Sequence, residues 1–213
     1  MRLNAVNVDT THFGNYYDKY RSKNPLTRYL TNGFLKSWSE LISIVLERGH
    51  PNALLETGCG DGYLLDFTQS RLKPSVIAVG LEPGLLEINK KNDMPDTFFK
   101  ISGSIYDLPF HDHAFDIVTV PEVFEHLDDP ERALKEVTRV ASRYILASVP
   151  WEPIWRVMNM ARGKYWKEWG NTPGHLQHFS RRKFISFMQQ AVDIAAIRTP
   201  FPWTMILGAI RKH

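Results

Sequence analysis

The sequence predicts an α/β fold of the doubly wound kind, a mostly parallel sheet with helices on both faces. Three observations carry that prediction. Short apolar runs alternate with stretches of helical spacing through most of the chain. The first run ends in glycines at alternate positions, Gly58, Gly60 and Gly62, just before a helical pattern. The second ends in a carboxylate, Glu82, about 20 residues on, as in a nucleotide-binding βαβ unit.

Each element follows in order. Residues 13–30 are aromatic and basic, including Tyr16, Tyr17 and Tyr20, with Asn24-Pro25 read as lying ahead of the fold. Phe34 to Leu46 repeats apolar residues at helical spacing, and Gly49-His50-Pro51 breaks that helix. Asn52 to Leu55 reads as a buried strand with Glu56 after it, and a helix begins at Tyr63. The turn between them predicts backbone N–H groups facing a ligand, with glycine because a Cβ would block close approach. Val76 to Leu81 is the second strand, Pro83 to Lys91 a helix and Thr97 to Ile101 the third strand. A fourth strand lies in the run His113 to Val120. Asp129-Pro130-Glu131 then starts a helix, an acidic cap followed by proline in the first turn, with Ala133, Leu134, Val137 and Val140 on its buried face. Tyr144 to Val149 is the fifth strand, and Arg181 to Val192 a final helix.

Composition bounds the class. The chain has 213 residues, and 43% are hydrophobic, enough for a real core. No apolar run reaches the length of a membrane span, and Met1 to Thr11 lacks a signal core, so a cytoplasmic location is expected. The single cysteine, Cys59, excludes an intrachain disulfide framework. A formal net charge of +3 does not mark a nucleic-acid protein.

The motifs name a family. Leu54 to Gly62 carries acidic-x-G-x-G-x-G, which lacks the extra residue before the third glycine of the dinucleotide fingerprint. Gly103-Ser104-Ile105-Tyr106-Asp107-Leu108-Pro109-Phe110 and the following Phe115-Asp116-Ile117-Val118 are similar to G-D-A-x-x-L-P-F…F-D-x-V. Pro121-Glu122-Val123-Phe124-Glu125-His126-Leu127 is similar to S-x-E-V-L-E-H-L. Together these motifs, over residues 52–127, resemble class I S-adenosylmethionine-dependent methyltransferases, and among them the subfamily that includes quinone-biosynthesis enzymes. The resemblance implies a seven-stranded Rossmann-like sheet closed by an antiparallel hairpin, here Ile194 to Arg198 and Trp203 to Ile210. It implies one domain with an N-terminal helical cap (1–50), a cofactor-binding core (51–150), a substrate-side insertion (151–180) and a closing helix and hairpin (181–213).

It also implies roles. Gly58, Cys59 and Gly60 would present backbone to the amino-acid portion of S-adenosylmethionine, and Glu56 would order that loop or reach the amino group. Glu82, with Pro83 beside it, would hold the ribose hydroxyls, since two carboxylate oxygens accept from vicinal donors. Ser104 and Ile105 would flank the adenine, although Ser104 stands where the family usually has an acid. Pro121 would edge the reaction centre, and Tyr17 or Tyr20 would cover the methionine end. The solvated strand end and the ordinary amphipathic helix remain the plain alternatives for Glu82 and the tyrosines.

The acceptor side is less constrained. A methyl group on a sulfonium needs an aligned lone pair more than a strong catalyst, and a general base helps a hydroxyl or acidic carbon. His126 ranks first as that base, with Glu125, His175 and His178 behind it. His175-x-x-His178 has no acidic or thiol partner nearby in sequence, so no metal is expected. Trp151, Trp155, Trp166 and Trp169 are interleaved with Arg156, Arg162, Lys164 and Lys167. Two readings stand: an aromatic wall with a basic rim over the donor, or packing aromatics beneath a solvated face. The loop Val120-Pro121-Glu122-Val123 is not the Asn/Asp-Pro-Pro-aromatic signature of adenine amino methylation, and no Pro-Cys pair exists for pyrimidine carbon methylation. The expected acceptor is a small molecule or lipid, with nucleic acid disfavoured and peripheral membrane contact open. A non-catalytic donor-binding scaffold and an RNA methyltransferase are the alternatives.

Overall fold

The computed structural model describes residues 19–73, 75–83, 98–163, 165, 166 and 168–211. Tyr17 and the helix expected over 83–91, beyond Pro83, fall outside the described residues.

The first helix among the described residues is α1 (Pro25–Glu47). Asn24 is its cap, with Oδ1 accepting from the N–H groups of Leu26 and Thr27 at 2.9 and 3.1 Å. Asn24-Pro25 is therefore a helix start, not a segment ahead of the fold: proline at the first position loses no intrahelical hydrogen bond. Phe34, Trp38, Leu41, Ile42 and Val45 form its buried stripe. Trp38 Nε1 donates to Thr68 Oγ1 at 3.0 Å, fastening α1 to α2 (Tyr63–Arg71).

Seven strands follow among the described residues: β1 (Ala53–Thr57), β2 (Ile77–Leu81), β3 (Phe99–Ile101), β4 (Phe115–Pro121), β5 (Ala141–Pro150), β6 (Val192–Arg198) and β7 (Trp203–Ile210). They make one sheet in the order β3-β2-β1-β4-β5-β7-β6. Neighbours from β3 to β5 are parallel, and β7 is antiparallel to both β5 and β6. The strand order reverses beside β1, whose neighbours are β2 and β4, and ligands of doubly wound sheets bind at the carboxyl ends there. A 3₁₀ turn (Phe124–His126) leaves β4, and α3 (Pro130–Val140) is capped by Asp129, which accepts from the Arg132 N–H at 3.0 Å.

Several boundaries differ from expectation. Glu56 lies inside β1, not after it. β5 begins at Ala141, because Ala141 already pairs with Phe115 although Ala-Ser-Arg carries no apolar run. The last helix, α5, is Arg181–Met188, and Val192 opens β6. The insertion holds a regular two-turn helix, α4 (Ile154–Ala161). One apolar layer packs α3 and α5 on the sheet through Val137, Phe184 and Phe187, and the other packs α1 and α2 through Trp38, Leu65 and Leu146. No helix among the described residues is long and apolar enough to cross a membrane.

Candidate active site

The candidate residues gather where β1, β2, β4 and β5 end. Glu56 is 1% exposed and pairs in register with Thr119 of β4. Thr119 Oγ1 donates to Glu56 Oε2 at 3.0 Å, while Glu56 Oε1 is buried with no hydrogen-bond partner. Burial, seconded by the Asp61 charge and opposed by the Thr119 hydroxyl and the Leu65 N–H, pushes the Glu56 carboxyl up to about 8.

The glycine turn is built differently from the expectation that its N–H groups face a ligand. Gly58 and Cys59 both donate to the Leu81 carbonyl, at 2.8 and 3.2 Å, and Gly60 donates to Glu82 Oε2 at 3.0 Å. These three N–H groups thus hold the loop to the end of β2. Gly58, Gly60 and Gly62 all take positive φ, which glycine adopts without steric cost. A Cβ on Gly58 would lie 2.5 Å from Val123 Cγ2, so glycine lets the turn after β1 sit directly against the turn after β4. Cys59 is buried with its sulfur over Gly80, where a Cβ would meet it at 2.8 Å, and burial pushes its thiol well up, away from a reactive thiolate. Asp61 accepts from the Tyr63 N–H at the start of α2.

Around this turn, Pro83 is exposed, and its carbonyl accepts from Ser102 Oγ. Ser104 is exposed, its hydroxyl accepting locally from the Tyr106 N–H at 3.3 Å, while Ile105 is buried in the apolar layer with Leu81 and Val120. Pro121 closes β4 opposite Ser148 of β5. Glu122 then takes a left-handed φ of 53°, turning the chain out of the sheet, with its N–H on the Ser148 carbonyl.

Lys19 ion-pairs with Glu122, and its ammonium sits 5.0–5.3 Å from the ring centroids of Tyr20, Phe34 and Trp203. Tyr20 stacks on Tyr63 at 4.5 Å, and its hydroxyl titrates well above its usual range through burial and the Glu122, Glu56 and Asp61 charges. Tyr20 is thus beside the glycine turn; its companion Tyr17 lies outside the described residues. Sequence reasoning missed Lys19 and Thr119, whose only signal is strand register and ring contact, and gave Glu122 no site role.

The acceptor-side residues fall into two groups. Glu125 is 2% exposed, and neither of its carboxylate oxygens has a hydrogen-bond partner. Burial and the neighbouring Glu122 push its carboxyl well up. His126, which keeps part of its ring exposed, meets Gly174 O through Nδ1 at 2.9 Å and lies edge-on to His175 at 4.9 Å. His175 is buried, and burial together with the two other histidines lowers it to about 3, so it is neutral near pH 7. Glu125, His126 and His175 each bring a ligand-type atom within 4.8 Å of the others. His178 instead faces Glu152, with Nδ1 3.9 Å from Oε1.

The four tryptophans do not form one wall. Trp151 is covered by the Arg181 guanidinium at 3.6 Å, and Trp155 packs near Trp203 with Nε1 donating to Thr172 Oγ1 at 2.9 Å. Trp166 and Trp169 are 65% and 74% exposed. Arg156 donates to the Trp169 carbonyl and Arg162 to Asn159 Oδ1, so these cations brace the insertion instead of rimming a pocket. The side chains of Lys164 and Lys167 lie outside the described residues.

Residues 55–143 match the family described as a methyltransferase domain. An uncharacterized methyltransferase of Schizosaccharomyces pombe is 38% identical over 100 residues, covering 41% of this chain and 35% of that protein. A demethylmenaquinone methyltransferase of Thermotoga maritima is 30% identical over 120 residues, covering 55% of this chain and 51% of that protein. The chain thus spans about half or less of the length of these relatives. Among solved structures, a magnesium protoporphyrin IX methyltransferase from Synechocystis with bound SAH superposes with a TM-score of 0.62, covering 92% of this chain and 94% of that one at 15% identity. At that identity the likeness is one of fold.

Proposed function

We propose that this class I S-adenosylmethionine-dependent methyltransferase domain transfers the donor's methyl group to a small-molecule or lipid-type acceptor. The observation that carries the reading is the cradle at the switch point: a glycine turn pressed against Val123, a buried Glu56 oxygen without a partner, and Glu82 at the tip of the next strand. A buried carboxylate oxygen without a partner is costly unless a ligand completes it, and the donor's ammonium group suits the Glu56 oxygen in charge and hydrogen-bonding capacity.

When bound, the donor supplies a methyl group already activated by its sulfonium. The chain's residues then hold and orient. Glu56 takes the ammonium group while Thr119 keeps the carboxylate's other oxygen in place. Glu82 serves the ribose and also ties down the turn through the Gly60 N–H. Pro83, Ser104 and Ile105 lie along the adenine side, Ile105 by packing the floor beneath it. Tyr20 belongs to the covering segment that Lys19 pins to Glu122. Pro121 and Glu122 turn the chain toward the acceptor side, where Glu125, His126 and His175 meet with Trp155 stacked on His175, while His178 faces Glu152 and Trp151 lies under Arg181. His126 has Nδ1 turned to a carbonyl, which leaves Nε2 with the lone pair that can take a proton from the acceptor.

The acceptor class rests on two supports. The motifs for base methylation are absent from the sequence, and a relative is named for a quinone substrate. The exposed Trp166 and Trp169 favour a second reading, a donor-binding scaffold that works through partner contacts. Incubation with methyl-labelled donor and a cell extract, followed by mass identification of the product, separates the readings. A labelled small molecule or lipid supports transfer; tight donor binding with no product in any extract supports the scaffold. Label confined to RNA, with steep salt dependence of binding, would replace the acceptor class.

A further inference from the structure

We infer that Glu125, His126 and His175 form a binding site for one divalent first-row transition ion. The sequence offered His175 and His178 as a pair lacking an acidic partner, but the fold pairs His175 with residues 50 positions away. The 3₁₀ turn after β4 carries Glu125 and His126, and the insertion returns to it. Leu176 and Gln177 both donate to the Glu125 carbonyl, at 2.8 and 2.9 Å. That double hydrogen bond holds His175 opposite the turn.

Three features point to a cation and not to a satisfied polar cluster. Glu125 is 2% exposed with both carboxylate oxygens unpartnered, and one of them lies within reach of the two imidazoles, a state a buried carboxylate seldom occupies without a ligand. That oxygen and one ligand-type atom of each imidazole lie within 4.8 Å of one another. About 3.4 Å separates ligands held tetrahedrally at about 2.1 Å from an ion, so modest side-chain rotations close the set. Finally, His126 already has the outer partner of a metal-bound imidazole: Nδ1 is committed to the Gly174 carbonyl, which leaves Nε2 as the ligand atom. Gly174 takes a left-handed φ of 86°, which glycine adopts without steric cost, and this turn presents its carbonyl to His126.

The charge balance agrees. Glu122 and Glu152 act on Glu125 by charge repulsion, and Lys19 acts on it by attraction. A dication would offset that repulsion. Two nitrogens and one carboxylate suit zinc, manganese, iron or cobalt better than magnesium, which prefers oxygen ligands and water. Such a set leaves coordination positions open to an oxygen of a bound molecule. In that case Nε2 of His126 is a ligand and not a free base, but the site stands whether or not methyl transfer is the activity.

The test is titration of the purified, chelator-treated full chain with Co²⁺, read by visible d–d absorption and by equilibrium dialysis. We expect one Co²⁺ per chain, with a spectrum abolished by stoichiometric Zn²⁺, which binds such sites more tightly. Glu125→Gln and His175→Gln should each weaken binding about tenfold or more, by analogy with losses at metal sites. His178→Gln, outside the trio, should leave it unchanged. Circular-dichroism melts verify that each variant is folded, and either ligand variant suffices. Absence of Co²⁺ binding by the parent chain, or undiminished binding by both ligand variants, overturns the site. Calorimetry with S-adenosylmethionine on the same samples keeps this outcome separate from failure of the donor assignment.

Discussion

Replacing Glu56 by glutamine should stabilise the fold at alkaline pH while weakening the donor, two effects of opposite sign from one buried carboxyl. Glu56 is raised from 4.5 to about 8, chiefly by burial. The native state therefore holds a proton that the unfolded chain has released between those values. Stability must fall as pH rises through that window, and the loss is complete above about 8. At roughly 1.4 kcal/mol per unit, the full span amounts to about 5 kcal/mol. Glutamine does not ionise and can still accept from Thr119. Urea unfolding of both proteins at pH 5, 7 and 9 isolates the group, because other titrations cancel in the difference. The variant's advantage should grow between pH 5 and 8 and then level off; a pH-independent gap would refute the reasoning. The same substitution should cost donor affinity about tenfold to a hundredfold, the worth of a charged hydrogen bond. Donor binding to the parent should also release close to one proton at pH 7, roughly the fraction of a group at about 8 that must ionise to meet the ammonium. Calorimetry in buffers of different ionisation enthalpy measures it.

Other predictions are local. Gly58→Ala should lose about 2–4 kcal/mol of stability, from its left-handed φ and the overlap with Val123, with Val123→Ala restoring only the steric part in a double mutant. Trp155→Phe should cost about 1 kcal/mol in thermal or urea unfolding by removing the bond to Thr172. Trp166→Ala and Trp169→Ala should leave the melting temperature within about a degree or two, as expected of exposed side chains. A large loss at either would mean that it packs.

The strand succession was legible because each strand of the parallel half is a short apolar run between turn signals, and Glu56, Gly58 and Glu82 stood out by spacing. What local pattern did not carry lies in register and in non-local contact. The inward N–H groups of Gly58 and Cys59 depend on where the Leu81 carbonyl falls, and that of Gly60 on the Glu82 side chain, which strand pairing decides. Thr119 reaches Glu56 because β4 lies beside β1, an adjacency no spacing within either strand encodes. Ala141 to Arg143 escaped as strand because the first residues of β5 are held by pairing with β4 and not by apolarity. The insertion misled in the other direction: four tryptophans close in sequence divide between packed and exposed sites, while Glu125 and His175, 50 residues apart, meet.

The donor cradle is the centre of the account, and Glu82→Gln tests it most directly. The amide oxygen can still accept from the Gly60 N–H, so the turn keeps its anchor while the carboxylate charge is lost. Titration calorimetry with S-adenosylmethionine should show one site per chain in the parent and an affinity lower by about tenfold or more in the variant. Equal affinities in two folded proteins, or no binding by the parent, would contradict the placement of the donor at this switch point.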